Sequence, residues 1–113
     1  MKKYTLSKKR KLSSKKFQKV YKNGKSYANK YLVLYVFKSE KNLVGFAAGK
    51  KLGSAVVRNK VKRRLREIYR LNQTNISRNY SLILVGRKYV IKANYKLVED
   101  AFLDLVYKAG LVK

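Results

Sequence analysis

Seven side chains in one short stretch are equipped to hold a polyanion: Arg58, Asn59, Lys60, Lys62, Arg63, Arg66 and Arg70. A guanidinium grips two phosphate oxygens through its planar fork, while an ammonium acts as a point charge. A mixed set therefore suits phosphates that converge from several directions. Asn59 adds an amide able to donate to a phosphate or a ribose. The spacing matters as much as the types. In GSAVVRNKVKRRLREIYRL, beginning at Gly53, the residues Val57, Val61, Leu65 and Ile68 recur every three or four positions, as on a helix with one buried stripe. At about 100° per residue, Arg58, Asn59, Lys62, Arg63, Arg66 and Arg70 gather on the opposite side. Glu67 is the single acid among nine bases between Lys50 and Arg70, so intrahelical ion pairs are scarce. A helix like this repels itself unless a polyanion lies against it. Ser54 stands where an N-cap belongs, with Lys50 and Lys51 just before it.

The whole chain repeats the imbalance. Its 113 residues fit one domain, 1–113, with 46% hydrophobic residues to build a core. Thirty Lys and Arg stand against five Asp and Glu, a net charge of +25. Residues 94–113 are neutral, so the excess lies in residues 1–93, where only Glu40 and Glu67 oppose it. Nucleic acid is the partner that such a field favours, ahead of an anionic membrane. There is no cysteine and no histidine, which removes disulfides, thiolate metal sites and the commonest general base. Glu99, Asp100 and Asp104 share one predicted helix and read as a solvated face rather than as metal ligands. No apolar run is long enough to cross a bilayer, and the basic start leads into no signal-like apolar segment. The expected location is the cytoplasm.

The elements that must position these residues follow from local pattern. Residues 1–11 form a basic arm, either a solvated tail or a source of further phosphate contacts. Leu12 to Gly24 predicts a helix with Ser13 as cap, Leu12 stapled on Phe17, and Phe17, Val20 and Tyr21 on one face. Tyr27 to Lys38 predicts one strand with both faces partly covered, Ser39–Asn42 a hairpin turn, and Leu43–Ala48 the next strand. Gly49 to Gly53 reads as a basic loop leading into the central helix. Tyr80–Val85 predicts a short buried strand. Asn94 caps a last helix with Leu97, Ala101, Phe102, Leu105 and Val106 as its stripe. The order helix–strands–helix–strand–helix predicts an α/β (α+β) sandwich, a small mixed sheet packed with helices.

The segment KKLGSAVVRNKVKRRLRE from Lys50 resembles the signature of the protein subunit of bacterial ribonuclease P. Lys51, Gly53, Ala55, Val56, Arg58, Asn59, Lys62 and Arg63 match it. Phe17-Gln18-Lys19-Val20-Tyr21 followed by Asn23-Gly24 resembles that family's first helix and stop, and Ala28-Asn29 leading to Leu34-Tyr35 its first long strand. Gly49, Ser54 and Tyr21 depart mildly from the pattern. The resemblance implies a helix–strand–strand–strand–helix–strand–helix order with a left-handed crossover around the basic helix. It implies an RNA-binding subunit of an endoribonuclease whose RNA cleaves the 5′ leader from precursor tRNA with magnesium ions, none of them held by the protein. It further implies contacts to the RNA subunit through Arg58, Asn59, Lys60, Lys62, Arg63, Arg66 and Arg70. A leader cleft would use Phe17, Tyr21, Tyr35, Lys50 and Lys51. From pattern alone Phe17 and Tyr21 suit a helix core as well as a cleft. The expected partners are the ribonuclease P RNA and precursor tRNA, with no membrane and no required protein partner. A ribosomal or architectural RNA-binding protein fits the charge equally and the Arg58-Asn59 signature poorly. A self-sufficient nuclease is disfavoured by the missing histidine and the sparse acids.

Overall fold

A computed structural model describes residues 14–113. The arm at 1–11 and the predicted Leu12 and Ser13 cap and staple lie outside the described residues. The elements are α1 (Ser14–Asn23), β1 (Lys25–Ala28), β2 (Leu32–Lys38), β3 (Val44–Ala48), α2 (Ala55–Asn72), β4 (Tyr80–Gly86) and α3 (Tyr95–Lys108), with 3-10 turns at Lys50–Leu52, Gln73–Asn75 and Lys88–Val90. The four strands form one mixed sheet in the order β1-β2-β4-β3. Three helices and a mixed four-stranded sheet are the α+β architecture that the pattern predicts.

Strand alternation divides the sheet into two faces. Leu32 and Leu34 of β2, Val44 of β3, and Leu82 and Leu84 of β4 join Val61, Leu65 and Ile68 of α2 and Val98, Phe102 and Leu105 of α3 in the main core. The alternate residues Tyr35, Ile83 and Gly45 are aligned across the sheet on the other face. There α1 packs against β2 and β4. Val20, Leu43 and Ile83 are buried outside the main core. The order is therefore two helices, a sheet, and one short helix.

Two local expectations are corrected. The single strand Tyr27–Lys38 is a hairpin, with β1 antiparallel to β2. Asn29 makes the turn: its Oδ1 accepts from the amides of Tyr31 and Leu32, and its own amide donates to Leu32 O at 3.0 Å. Asparagine side chains mimic a backbone turn in this way. Its Nδ2 donates to Ala101 O at 2.9 Å and Asp104 Oδ2 at 3.2 Å, which pins the turn to α3. The Ser39–Asn42 turn, in contrast, closes no hairpin. β4 enters between β2 and β3, antiparallel to the first and parallel to the second. Local pattern is blind to a strand inserted from some forty residues away.

The last helix is capped as expected, with Asn94 Oδ1 accepting from Leu97 N at 2.9 Å. Ala101, Phe102, Leu105 and Val106 form its buried stripe as expected, but at the first position Val98 is buried and Leu97 is 45% exposed. Relative to Phe102 and Leu105, Val98 stands at helical spacing and Leu97 falls at the edge of the face.

The parallel crossover β3–α2–β4 brings α2 down onto β4 at Gly86. A Cβ there would stand 2.6 Å from Val61 Cγ1 and 3.3 Å from Val90 Cγ1. We expect Gly86→Ala to destabilise the fold by roughly 1–3 kcal/mol, the usual penalty for overpacking a filled core. Urea unfolding checks this, and adding Val61→Ala should lower stability by less than the sum of the two single changes.

Candidate nucleic-acid interface

The basic helix begins as its sequence predicts. Ser54 Oγ accepts from the Val57 amide at 3.4 Å, and Val61, Leu65, Ile68 and Tyr69 are buried. Val57 is half-buried at the start of the stripe. The cations divide into groups with different surroundings. Arg58, Lys62 and Arg66 stand four residues apart and form one row along α2, which packs over β3. Arg66 ends the row over the edge strand, its guanidinium 5.6 Å from the Phe46 ring centre, and Phe46 in turn meets Tyr69 edge-on. Arg58 and Lys62 are half-buried, with Arg58 Nε shielded from solvent and without a hydrogen-bond partner. Asn59, Lys60 and Arg63 are exposed. Together they present a broad cationic surface on a rigid helix.

Two arginines are engaged by other groups of the protein. Arg70 forms a bidentate pair with Glu67, Nε to Oε1 at 2.8 Å and Nη2 to Oε2 at 2.6 Å. That pairing, chiefly by hydrogen bond, holds the Glu67 carboxyl below its ordinary range and raises Arg70. Among the seven side chains expected to face RNA, Arg70 thus has its charge locally offset. Arg64 points the other way, donating through Nη1 to Ala93 O at 2.7 Å and, more weakly, to Val90 O at 3.5 Å. It ties α2 to the segment that leads into α3. Beside it a groove of about 350 Å³ opens between Val57, Lys60 and Val61 of α2 and Val90 and Ile91. Sequence pattern does not separate Arg64 from its neighbours; only its angle on the helix, next to Val61 and Leu65, hints at an inward task.

The aromatic residues lie on the opposite face of the sheet. Phe17 and Tyr21 rings stand 5.3 Å apart, and Tyr21 meets Tyr35 edge-on at 4.7 Å. All three are half-buried, whereas Val20 between them is pressed fully onto the sheet. The three rings are thus brought together as one row beside α1. Burial, with Tyr35 close by, raises the Tyr21 phenol above its ordinary value, so it remains a neutral donor at physiological pH. Past Tyr35 the same face continues through Val33, Val85 and Ala47, none fully buried. The sequence reading passes over these three, although their two-residue step from Tyr35, Ile83 and Gly45 marks them.

Lys50 and Lys51 are exposed in the 3-10 turn after β3, at the strand end shared by Ala48 and Gly86. Tyr35 aligns with Gly45, so the lysines stand beyond Ala48, about 10 Å or more along the strand from the rings. They stand at that end of the sheet rather than beside the aromatic row. A further basic cluster shares this end of the sheet. Arg87 Nη1 donates to Asn29 O at 2.8 Å, and Lys30 Nζ lies 5.6 Å from the Tyr31 ring and 5.0 Å from the Tyr89 ring.

Comparison with known proteins places the geometry in a family. The Ribonuclease P family model matches residues 6–110. The ribonuclease P protein component of Clostridium botulinum (strain 657 / Type Ba4) is 46% identical over 101 residues, 87% of this chain and 91% of the relative. Among solved structures, the ribonuclease P protein of Staphylococcus aureus superposes with a TM-score of 0.78 at 25% identity, covering 92% of this chain and 98% of that one. The Thermotoga maritima ribonuclease P protein gives a TM-score of 0.78 at 28% identity over 87% of this chain and 96% of its own.

The contrast between neighbouring arginines is open to a direct check. Arg64→Ala should cost roughly 1.5–3 kcal/mol, the range for hydrogen bonds to a charged group. Arg63→Ala should leave stability within about 0.5 kcal/mol, as for an exposed site. Thermal unfolding of the two variants side by side measures the difference.

Proposed function

The chain belongs to the ribonuclease P protein family and is the protein subunit of that endoribonuclease, partnered with the ribonuclease P RNA; from this premise we propose a division of labour between its two faces. Arg58, Lys62 and Arg66, with Asn59, Lys60 and Arg63 beside them, dock on the RNA subunit. The cleft formed by Phe17, Tyr21 and Tyr35 holds the single-stranded 5′ leader of precursor tRNA, with Lys50 and Lys51 at its mouth. The observation that carries this reading is the separation of the surfaces: the cationic row lies on the α2 side of the sheet and the aromatic row on the α1 side. A protein so built bridges two RNAs at once. Leader sequences differ from one precursor to another, and stacking with backbone contact tolerates such variation because every base has a π-face.

Cleavage in this reading is the RNA's own, with magnesium held by RNA, and the protein alone does not cut. Among the described residues no three His, Cys, Asp or Glu side chains gather into a group able to hold a metal ion. Asp100 and Asp104 are engaged with Lys96 and Lys108. The protein contributes charge neutralisation and substrate grip, which lowers the magnesium needed to fold and load the RNA. We place this activity in the cytoplasm, with no further protein required; no helix among the described residues is long and apolar enough to cross a membrane.

Purified protein should restore precursor tRNA cleavage by the cognate RNA at low magnesium and show no cleavage without it. Cleavage by RNA-free protein would revive the nuclease reading, and co-purification with ribosomal particles instead of the ribonuclease P RNA would favour the ribosomal one. Replacing Arg58, Lys62 and Arg66 by alanine should weaken RNA-subunit binding and lower the log–log salt slope by about 0.7–0.9 for each phosphate that is no longer neutralised. Phe17→Ala and Tyr35→Ala should each weaken precursor tRNA by roughly 1–3 kcal/mol while sparing mature tRNA. Equal losses for both substrates would assign the rings to the core.

A further inference from the structure

A second basic site lies on the far side of α1. Around this helix Val20 faces the sheet, Phe17 and Tyr21 fall to one side of it, and Lys16 and Lys19 to the other. On the lysine side a pocket of about 80 Å³ is lined by Lys16, Lys19, Phe37, Ser39, Leu43 and Ser81. Lys19 Nζ stands 5.4 Å from the Phe37 ring centre. Lys41 joins the cluster from the turn between β2 and β3, where its amide donates to Ser39 Oγ at 3.2 Å. The nearby charge of Lys41, ahead of a slight loss of solvent, holds the Lys16 ammonium below its ordinary value, and Lys19 adds to the effect. Glu40, next to Lys41, is the one acid in that turn.

Three ammonium groups around the Ser39 hydroxyl and an aromatic ring form a receptor for an anion, while the buried Ser81 hydroxyl is taken up by Lys41 O at 3.5 Å. Folding brings like charges together here at a cost, and a bound phosphate turns that repulsion into attraction. We propose that Lys16, Lys19 and Lys41, with Ser39, bind a backbone phosphate of the 5′-distal part of long leaders, after the strand has crossed α1 from the aromatic cleft. This rests on the cleft holding the leader. The occupant follows from charge and position: the pocket suits a single phosphodiester, and Lys15 and Lys22 stay exposed on the outer surface of α1. A helix is about 10 Å across with its side chains. A strand therefore needs a few extra nucleotides to reach from Tyr35 to Lys41, and shorter leaders stop before the pocket.

The experiment measures binding of precursor tRNAs with progressively shortened leaders to the reconstituted holoenzyme. Wild type is compared with Lys16→Gln, Lys41→Gln and Tyr35→Ala. Each lysine variant should lose about two- to fivefold in affinity for the longest leader, as for solvent-exposed charge contacts. Its salt slope should fall by about 0.7. The loss should vanish at a leader length at which Tyr35→Ala still weakens binding. Equal loss at every leader length, mature tRNA included, would overturn the pocket and leave only a general basic field. No loss at any length, with Tyr35→Ala still leader-dependent, would overturn the pocket and keep the cleft. If Tyr35→Ala also shows no leader dependence, both readings fall. Thermal unfolding of the free protein separates binding from structure, because Lys41→Gln relieves repulsion and should leave the melting temperature unchanged or higher. A lower melting temperature together with equal loss at all lengths would show a structural role and sink the proposal.

Discussion

Strand β4 is the constraint on which the rest of the molecule depends. Its inner residues have no solvent-facing side: Leu82 and Leu84 are buried under α2 and α3, and Ile83 is 0% exposed on the α1 face. It also lies inside the sheet, so both edges of its backbone are hydrogen-bonded as its burial requires. β2 satisfies one edge and β3 the other. Because β3 precedes α2 and β4 follows it, the parallel pairing forces α2 to cross the sheet, and the cationic row is carried with it. The short α1 covers only part of the opposite face, where Val33, Val85 and Ala47 stay partly exposed. One buried strand thereby separates the cationic row from the aromatic row and holds them in fixed relation.

Charge is distributed with the same economy. The few acids serve the fold: Glu67 clamps Arg70, Asp104 takes a hydrogen bond from Asn29 and pairs with Lys108, Asp100 pairs with Lys96, and Glu99 accepts from Asn72. Three of these four lie on α3, the element whose surroundings are neutral. Arg64 and Arg87 also serve internally, each donating to backbone carbonyls. What remains on α2 and α1 faces outward with almost no compensation. The fold tolerates this surplus because its stability comes from an apolar core, and the surface charges repel one another through water and salt rather than through the low-dielectric interior. A polyanion then gains from the same field.

Much of the fold was legible in local sequence. The three-and-four spacing of Val61, Leu65 and Ile68 marked α2, and Ser54 and Asn94 marked the caps, because these are interactions within a few residues of the chain. Tyr80–Val85 announced a buried strand by its unbroken apolar run. Two of the failures share one cause: the insertion of β4 beside Ser39–Asn42 and the inward turn of Arg64 depend on partners far along the chain. The break at Asn29 is a local side-chain turn hidden within a run of strand-forming residues. Leu97 and Val98 are adjacent and similarly apolar, and only the docking of α3 decided which of them is buried.

The sequence by itself determined the partner class and the family. A net charge of +25 and the Arg58-Asn59, Lys62-Arg63 spacing are properties of composition and order, and need no fold to be read. Tertiary structure decided which cations are available and where the aromatic residues go. It committed Arg64 to the carbonyls of Ala93 and Val90, set Arg66 over Phe46, and brought Tyr21 against Tyr35 across the gap between a helix and a sheet. It also set Lys50 and Lys51 beyond the end of β3, away from those rings. The physical reason is that chemistry type is written residue by residue, whereas availability depends on burial and contact, which exist only once distant segments have packed.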